Sequence, residues 1–334
     1  MKTKDMQGIF DPTFLGMMQK HSLDQVVILA HMNPDGDAAG SVLGLAHYLR
    51  DAYPQYAVYP YLSDKLDRGP RRMVDRDALF SPFQEPQVSG RYAVIVCDTA
   101  TKKRVIGLPW FENAVCSMVI DHHAGNEAYA DINLTCISEA CAVNLFYLFD
   151  RDRLKQAACE THPNAADYLY LGIIQDTECF SRTDESVFEA SLELLRMGVS
   201  HEEAMVTMHT MTREALDRRS RLLHMAQTAV DGKVAYVILD REQAVREGMN
   251  YEDIHAISGV LRDCEDVELG FTMYEQEKDV WRCSFRSDGR WIDVNQLLKP
   301  LGGGGHAGAA GLRISTGDPQ KLLADVLDRI RKML

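Results

Sequence analysis

No run in this sequence approaches the ~18 consecutive apolar residues that a membrane-spanning helix needs. The opening residues, MKTKDMQGIFDPTF, are interrupted by charge too often for a secretory signal peptide. We therefore expect a soluble, cytoplasmic protein with no membrane association. The hydrophobic content of 46% is still high enough to fill two cores, and 334 residues exceed the usual size of one domain.

The chain also lacks any Cys-x-x-Cys pair, although it has eight cysteines. Paired cysteines are typical of structural zinc sites and redox motifs, and a disulfide framework is typical of short secreted chains. Neither pattern is present here. We expect buried free thiols with no catalytic role at positions 97, 116, 136, 141, 159, 179, 264 and 283.

Basic residues are scarce, with 36 Lys and Arg against 49 Asp and Glu and a net charge of −13. Binding to long nucleic acid depends on many contacts between basic side chains and phosphates. The charge therefore argues against a long nucleic acid as scaffold or substrate. Any nucleic-acid substrate should be short.

The pattern of apolar residues divides the chain into two regions. From about residue 20 to 195, strand and helix patterns alternate, as in a doubly wound sheet. After residue 232, separated strands are predicted at 233–239, 269–274 and 280–286, with helices at 251–261 and 320–333. The predicted fold class is α/β: a doubly wound, mainly parallel sheet in residues 1–197, a helical linker at 198–229 and a smaller α/β domain at 230–334.

Four short apolar runs each end at a type of residue that binds metals. They are 26–30 before His31, 94–97 before Asp98, 119–120 before Asp121-His122-His123, and 171–175 before Asp176. If all four are parallel strands, these side chains meet at the edge of the sheet where ligands bind. Such a concentration of carboxylates is costly unless cations neutralise it. The pattern therefore predicts a centre of two metal ions.

Each motif also has a purely structural interpretation. The turn HMNPDGD at 31–37 could simply cap the following helix, and Asp98 could likewise be a helix cap. The adjacent histidines favour the metal hypothesis, because within a strand they would point to opposite faces. Nitrogen and oxygen donors without cysteine suit Mn²⁺ better than structural zinc. In the helix after the turn, Gly40 and Gly44 would permit close packing against the sheet.

A glycine-rich run, GGGGHAGAAG at 302–311, is the main feature of the second region. Its glycines can adopt positive φ and bring backbone N–H groups close to an anion, and His306 adds a side-chain donor. No Gly-Lys-Ser/Thr follows, so the run is not a Walker loop; a flexible loop is the alternative. Arg286 could bind phosphate in a bidentate manner, or could be a surface ion-pair partner.

Together these motifs resemble a known family. HMNPDGDAAGS, CDTA, DHHAGN and GIIQDT resemble the four motifs of the DHH phosphoesterases, and GGGGHAGAAG resembles the signature of the DHH-associated C-terminal domain. The order and spacing agree from about residue 25 to the end of the chain. Within the family, the chain is most similar to short bacterial enzymes that degrade very short RNA and dephosphorylate 3′-phosphoadenosine 5′-phosphate.

The resemblance implies a role for each motif residue. Asp98 and Asp176 would bridge two Mn²⁺ ions, with Mg²⁺ or Co²⁺ as alternatives, and His123 would orient a ligand or contact the scissile phosphate. The implied metal ligands are His31, Asp35, Asp37, Asp98, His122 and Asp176. The implied catalytic residues are Asp98, His123 and Asp176, and the implied substrate-binding residues are Arg286, Gly303, Gly304, Gly305 and His306.

The activity implied is hydrolysis of short RNA oligonucleotides and phosphoadenosine nucleotides by a monomer or homodimer. Two alternatives remain open at this point. The protein could instead hydrolyse cyclic di-AMP or the linear dinucleotide pApA. It could also be a nucleotide sensor without hydrolytic activity, although the intact set of ligands argues against that class.

Overall fold

The structure, a computed structural model, describes residues 3–158 and 162–334, so Cys159 lies outside the described residues. The chain divides into two compact units, the first ending at Thr210 and the second beginning at Met211. Residues 198–229, predicted as a helical linker, contribute a helix to each unit. None of the helices in the described ranges combines the length and the apolar character needed to cross a bilayer.

The first unit contains nine α-helices and five strands within the described residues. In chain order they are α1 (Phe10–His21), β1 (Gln25–Leu29), α2 (Gly36–Ala52), β2 (Ala57–Pro60), α3 (Arg68–Val74), β3 (Ala93–Cys97), α4 (Leu108–Glu112), β4 (Cys116–Asp121), β5 (Ile132–Thr135), α5 (Cys141–Leu148), α6 (Arg151–Ala157), α7 (Ala165–Asp176), α8 (Glu185–Arg196) and α9 (His201–His209).

The five strands of the first unit form one parallel sheet in the order β2-β1-β3-β4-β5. β3 and β4 are buried along their whole length, as expected for strands that helices cover on both faces. The strand order reverses between β1 and β3, and doubly wound sheets bind ligands beyond the carboxyl ends of the strands at such a point. The predicted fold class is confirmed.

One of the four predicted strands is wrong, because residues 171–175 lie in helix α7. Asn164 begins this helix by accepting hydrogen bonds from the backbone of Ala166 and Asp167, and the Asp167 carboxylate accepts from the Asn164 backbone. Residues 168–174 are all buried, so the run lacks the polar face that distinguishes a helix from a buried strand. Asp176 is consequently the last residue of a helix.

The glycines of α2 face α7, and the predicted contact of Gly40 and Gly44 with the sheet is wrong. A Cβ atom at Gly40 would lie 2.4 Å from the carbonyl oxygen of Tyr168. A Cβ atom at Gly172, on α7, would lie 2.7 Å from Oδ1 of Asp37. The two helices therefore touch through their backbones, and the contact sets the position of Asp37.

We expect Gly172→Ala to destabilise the first unit by about 1–3 kcal/mol, because the added methyl group overpacks the contact with α2. Displacement of Asp37 should also weaken metal binding. Chemical denaturation and metal titration measure the two effects. The matched control is Gly16→Ala in α1, where a Cβ atom would meet nothing within 4 Å; it should be neutral or stabilising. Equal stability of the two variants would contradict the close packing.

The second unit contains five α-helices and six strands within the described residues. In chain order they are α10 (Arg213–His224), β6 (Gln227–Ala229), β7 (Val234–Leu239), α11 (Arg241–Arg246), α12 (Tyr251–Arg262), β8 (Leu269–Glu277), β9 (Val280–Ser287), α13 (Val294–Leu298), β10 (Gly304–Gly305), β11 (Ala309–Ser315) and α14 (Pro319–Arg331).

The strands of the second unit form a mixed sheet in the order β10-β11-β9-β8-β7-β6, in which only β7 and β8 are parallel among the described pairs. Phe271, Phe285 and their neighbours on one face pack against α13 and α14. On the other face, Val237 and Tyr274 belong to a separate cluster with α10 and α12. The strands and helices predicted after residue 232 are confirmed.

The cysteine prediction is confirmed only in part. All seven cysteines in the described ranges are free, and five of them are buried. Cys179 is half-buried and Cys264 is exposed, so the expectation of uniform burial is wrong for these two.

Candidate metal centre

The first unit brings all its predicted site residues to one edge of the sheet. The ends of three strands, the beginning of one helix and the end of another contribute these residues. The residues are His31 after β1, Asp35 at the N-cap of α2, Asp37 in its first turn, Asp98 after β3, His122 and His123 after β4, and Asp176 at the end of α7.

These residues form three overlapping groups of possible metal ligands. Within each group, one donor atom of each residue lies within 4.8 Å of the others. The groups are His31 with Asp35 and Asp98, Asp37 with His122 and Asp176, and Asp98 with His122 and His123. The overlap at Asp98 and His122 joins the three groups into one cluster.

Asp98 lies at the centre of this cluster. Its Oδ2 is 3.4 Å from Nε2 of His31, and its Oδ1 is 3.3 Å from Nε2 of His122. Oδ1 is buried and has no hydrogen-bond partner within the described part of the chain. The residue also has a left-handed backbone, with φ of 49°, a conformation that Asp and Asn tolerate better than most residues. One buried carboxylate therefore presents an oxygen to each half of the cluster.

The two carboxylates of the first motif have different environments. Asp35 caps α2, since its Oδ1 accepts from the backbone of Asp37 and Ala38, while its Oδ2 lies 3.9 Å from Nε2 of His31. Asp37 is fully buried and accepts hydrogen bonds from the backbone of Cys141, at 2.6 Å, and Ala142, at 2.9 Å, at the start of α5. For Asp35, the capping and metal interpretations are compatible, because each uses a different oxygen.

Both histidines of the DHH motif are oriented by a partner on Nδ1. Nδ1 of His122 lies 2.9 Å from the carbonyl oxygen of Ser138, so Nδ1 carries the proton and Nε2 is the ligand atom. Nδ1 of His123 lies 2.8 Å from Asp121, whose other oxygen accepts from Asn126 at 2.7 Å. These roles are not visible in the sequence, because Ser138 lies outside the motifs and nothing in the motif DHHAGN shows that its last residue, Asn126, contacts Asp121.

The charges of the cluster are unbalanced. Burial raises the pKa of Asp37 to about 7, and burial also raises the pKa of Asp176 well above its usual value. Burial opposes ionisation of Asp98 too, but the imidazoles of His122 and His31 hold its pKa well below the ordinary value. The carboxylates outnumber the imidazoles that can offset them, so bound cations would stabilise the ionised cluster.

The donor set fits divalent cations that prefer oxygen and nitrogen ligands. It consists of carboxylate oxygens and imidazole nitrogens, a mixture that suits Mn²⁺ and related ions. Cys97 and Cys141 lie nearby, but burial raises the pKa of both thiols well above their usual value, which keeps them protonated and poor ligands. The cluster therefore fits two hard or borderline cations and not a thiolate-bound zinc.

The second unit places Arg286 and Gly304–Gly305 on the two strands that flank β11, with Gly303 directly before and His306 directly after β10. Arg286 on β9 pairs with Ala309 on β11, and β11 pairs with Gly304–Gly305. A Cβ atom at Gly305, where φ is 152°, would lie 2.3 Å from the Ala309 carbonyl oxygen, and one at Gly303 would lie 2.7 Å from that of Gly311. Gly303 and Gly305 are thus packed too closely for a side chain, and the flexible-loop alternative is wrong for Gly304–Gly305, which form a short strand.

Comparisons with known proteins agree with this arrangement. Residues 25–173 match the DHH family, N-terminal domain, and residues 231–334 match the DHHA1 domain. The bifunctional oligoribonuclease and PAP phosphatase NrnA of Bacillus subtilis is 25% identical over 319 residues, or 91% of this chain and 94% of the relative. NrnA of Thermus thermophilus is 26% identical over 317 residues, or 92% and 90% of the two chains.

A solved structure, that of an exopolyphosphatase-related protein from Bacteroides fragilis, has the same fold. Its TM-score is 0.79 at 18% identity, over 98% of this chain and 99% of that one. The two matched domains, in this order, account for both units of the structure. The chain therefore belongs to the DHH family of phosphoesterases.

Proposed function

We propose that this protein hydrolyses short oligoribonucleotides to mononucleotides, and 3′-phosphoadenosine 5′-phosphate to AMP and phosphate, in a reaction that depends on divalent metal ions. The observation that carries the proposal is the position of Asp98 between two groups of carboxylate and imidazole donors. The substrate class is that named for the two NrnA relatives, which align along nearly their whole lengths.

The proposed metal ions are two Mn²⁺, with Mg²⁺ or Co²⁺ as alternatives. His31, Asp35 and Asp98 would hold one ion, and Asp37, His122 and Asp176 the other. Asp98 would bridge the two, as would Asp176, whose Oδ2 lies 3.5 Å from Nε2 of His122. When bound, such a pair supplies Lewis-acid stabilisation of phosphoryl oxygens and a reactive nucleophile at neutral pH.

His123 is the proposed contact to the scissile phosphate. Its Nδ1 lies 2.8 Å from Oδ1 of Asp121, and Nε2 is the ring nitrogen proposed to contact a substrate oxygen. The half-buried side chain lies against His122, with ring centroids 4.4 Å apart. Asp121 and Asn126 would keep this ring in place while substrate binds.

In the second unit, we propose that Arg286 and the glycine edge bind a phosphate group of the substrate. Arg286 lies on the strand next to β11, and Gly303, Gly304 and Gly305 bring backbone N–H groups to the adjacent edge. His306 follows the edge directly and is the proposed side-chain donor. A planar guanidinium can bind two phosphate oxygens at once.

The proposal is tested by incubating the purified protein with end-labelled diadenylate RNA, a longer RNA and 3′-phosphoadenosine 5′-phosphate, each with Mn²⁺. We expect mononucleotide and phosphate release from the two short substrates, with much slower cleavage of the long RNA. Linear pApA and cyclic di-AMP are assayed in parallel. A higher kcat/KM for cyclic di-AMP than for any linear substrate would contradict the proposed substrate class.

Tight binding of these nucleotides without hydrolysis of any of them would instead indicate a sensor. This outcome would contradict the proposed activity.

A further inference from the structure

Three alternate residues of β9 face helix α12. Successive side chains of a strand point to opposite faces, so Arg282, Ser284 and Arg286 lie on one face while Phe285 lies in the core on the other. Arg282 stacks on the ring of Tyr251 in α12 at 4.0 Å. Both arginines are thus on the face that α12 covers in part.

His255 of α12 contacts two of these three residues. Its Nε2 lies 3.1 Å from Nη2 of Arg286, and its Nδ1 lies 2.7 Å from Oγ of Ser284. A guanidinium can only donate hydrogen bonds, so Nε2 must accept and the ring proton must be on Nδ1. The geometry therefore requires the neutral imidazole, which donates to Ser284 and accepts from Arg286.

The surroundings of His255 agree with a neutral ring. Burial lowers its pKa to about 3, with further contributions from the positive charges of Arg286 and Arg282. No carboxylate contacts the ring among the described residues, and the aromatic ring of Tyr251 lies 5.4 Å away. A neutral acceptor orients Arg286 without cancelling its charge, whereas a carboxylate here would compete with a phosphate for the guanidinium.

We propose that His255 is a positioning residue that holds the guanidinium of Arg286 in place for a substrate phosphate. A second hydrogen bond, from Nη1 of Arg286 to the carbonyl oxygen of Phe285 at 3.0 Å, fixes the same group from its other side. This inference rests on the proposed function, because it assigns phosphate binding to Arg286. The sequence gives no sign of this role, since His255 lies 31 residues from Arg286 and belongs to none of the motifs.

The test compares His255→Leu, His255→Gln and His255→Glu in the full-length protein with 3′-phosphoadenosine 5′-phosphate. We expect His255→Leu to raise KM about tenfold with little change in kcat, since one hydrogen bond to a charged group is lost. Gln keeps a hydrogen-bond acceptor, so the KM of His255→Gln should be close to that of the wild type. Glu fills the site but neutralises Arg286, so its KM should exceed that of the Gln variant. His224→Gln, at an exposed position of α10, is the control.

Arg286→Gln separates this inference from the proposed function. If that variant leaves KM unchanged, Arg286 does not bind the substrate and the proposed phosphate site is wrong. If it raises KM while all three His255 variants behave like wild type, only the positioning role is wrong. If Arg286 binds the phosphate and His255 positions Arg286, adding His255→Leu to Arg286→Gln should raise KM no further. Should the Leu variant fail to fold, the Gln and Glu variants alone decide, and equal KM values for these two would overturn the proposal.

Discussion

Asp98→Asn should reduce kcat by about 10³-fold or more, because it removes the charge that both halves of the cluster share. The carboxylate presents one oxygen to His31 and the other to His122, so its loss affects both proposed ions. Asn is chosen because it has the same shape as Asp and also tolerates the left-handed backbone at this position, whereas Ala would add strain. Steady-state kinetics and elemental analysis of bound metal measure the result.

The matched control is Asp152→Asn, at an exposed position in the first turn of α6. It removes the same charge from the first unit, and we expect wild-type activity and metal content. Circular dichroism and thermal melting verify that Asp98→Asn is folded. A folded Asp98→Asn protein with activity within tenfold of wild type would rule out the two-metal assignment.

Removal of divalent cations should stop hydrolysis of every substrate, and added Mn²⁺ should restore it. The same treatment should lower the melting temperature, because ions that bind only the folded state stabilise it by about 2.7 kcal/mol per site at a concentration of 100 Kd. The measurements are initial rates with chelator and after re-addition, elemental analysis, and thermal unfolding in both states. We expect two ions per chain in the active protein.

Variants of single ligands distinguish two sites from one. His31→Gln alters only the group that contains Asp35 and Asp98, so one ion should remain bound to the other group. Asp176→Asn alters a proposed bridging ligand, so it should weaken the binding of both ions. Full activity in the presence of excess chelator, or a single ion in the wild-type protein, would contradict the proposed centre.

Much of the fold could be predicted because its strands are short, apolar and well separated. β1, β3 and β4 each end close to where the sequence changes from apolar residues to His or Asp, so both the strands and their ends are visible. Helix α7 could not be recognised by the same rule. It is buried along most of its length, and a buried helix and a buried strand have the same apolar composition.

Asp176 lies at the predicted edge of the sheet, although the strand predicted before it is helix α7. Helix α7 packs antiparallel to α2, because Gly172 lies against Gly40 whereas Ala165 lies against Gly44. Its last residue therefore lies at the edge of the sheet where α2 begins. The contacts that orient the ligands were less accessible to sequence analysis. Ser138 acts through its backbone carbonyl, which any residue could supply, and His255 meets Arg286 only through the pairing of α12 with β9.

The donors of the metal cluster come from segments as far apart in the chain as His31 and Asp176. Asp37 additionally joins the start of α2 to the start of α5, more than 100 residues later. Contacts between segments so distant form late in folding, since a long loop must close first. A growing chain on the ribosome therefore has no complete binding site until α7 has been synthesised and packed, and metal loading follows assembly of the first unit.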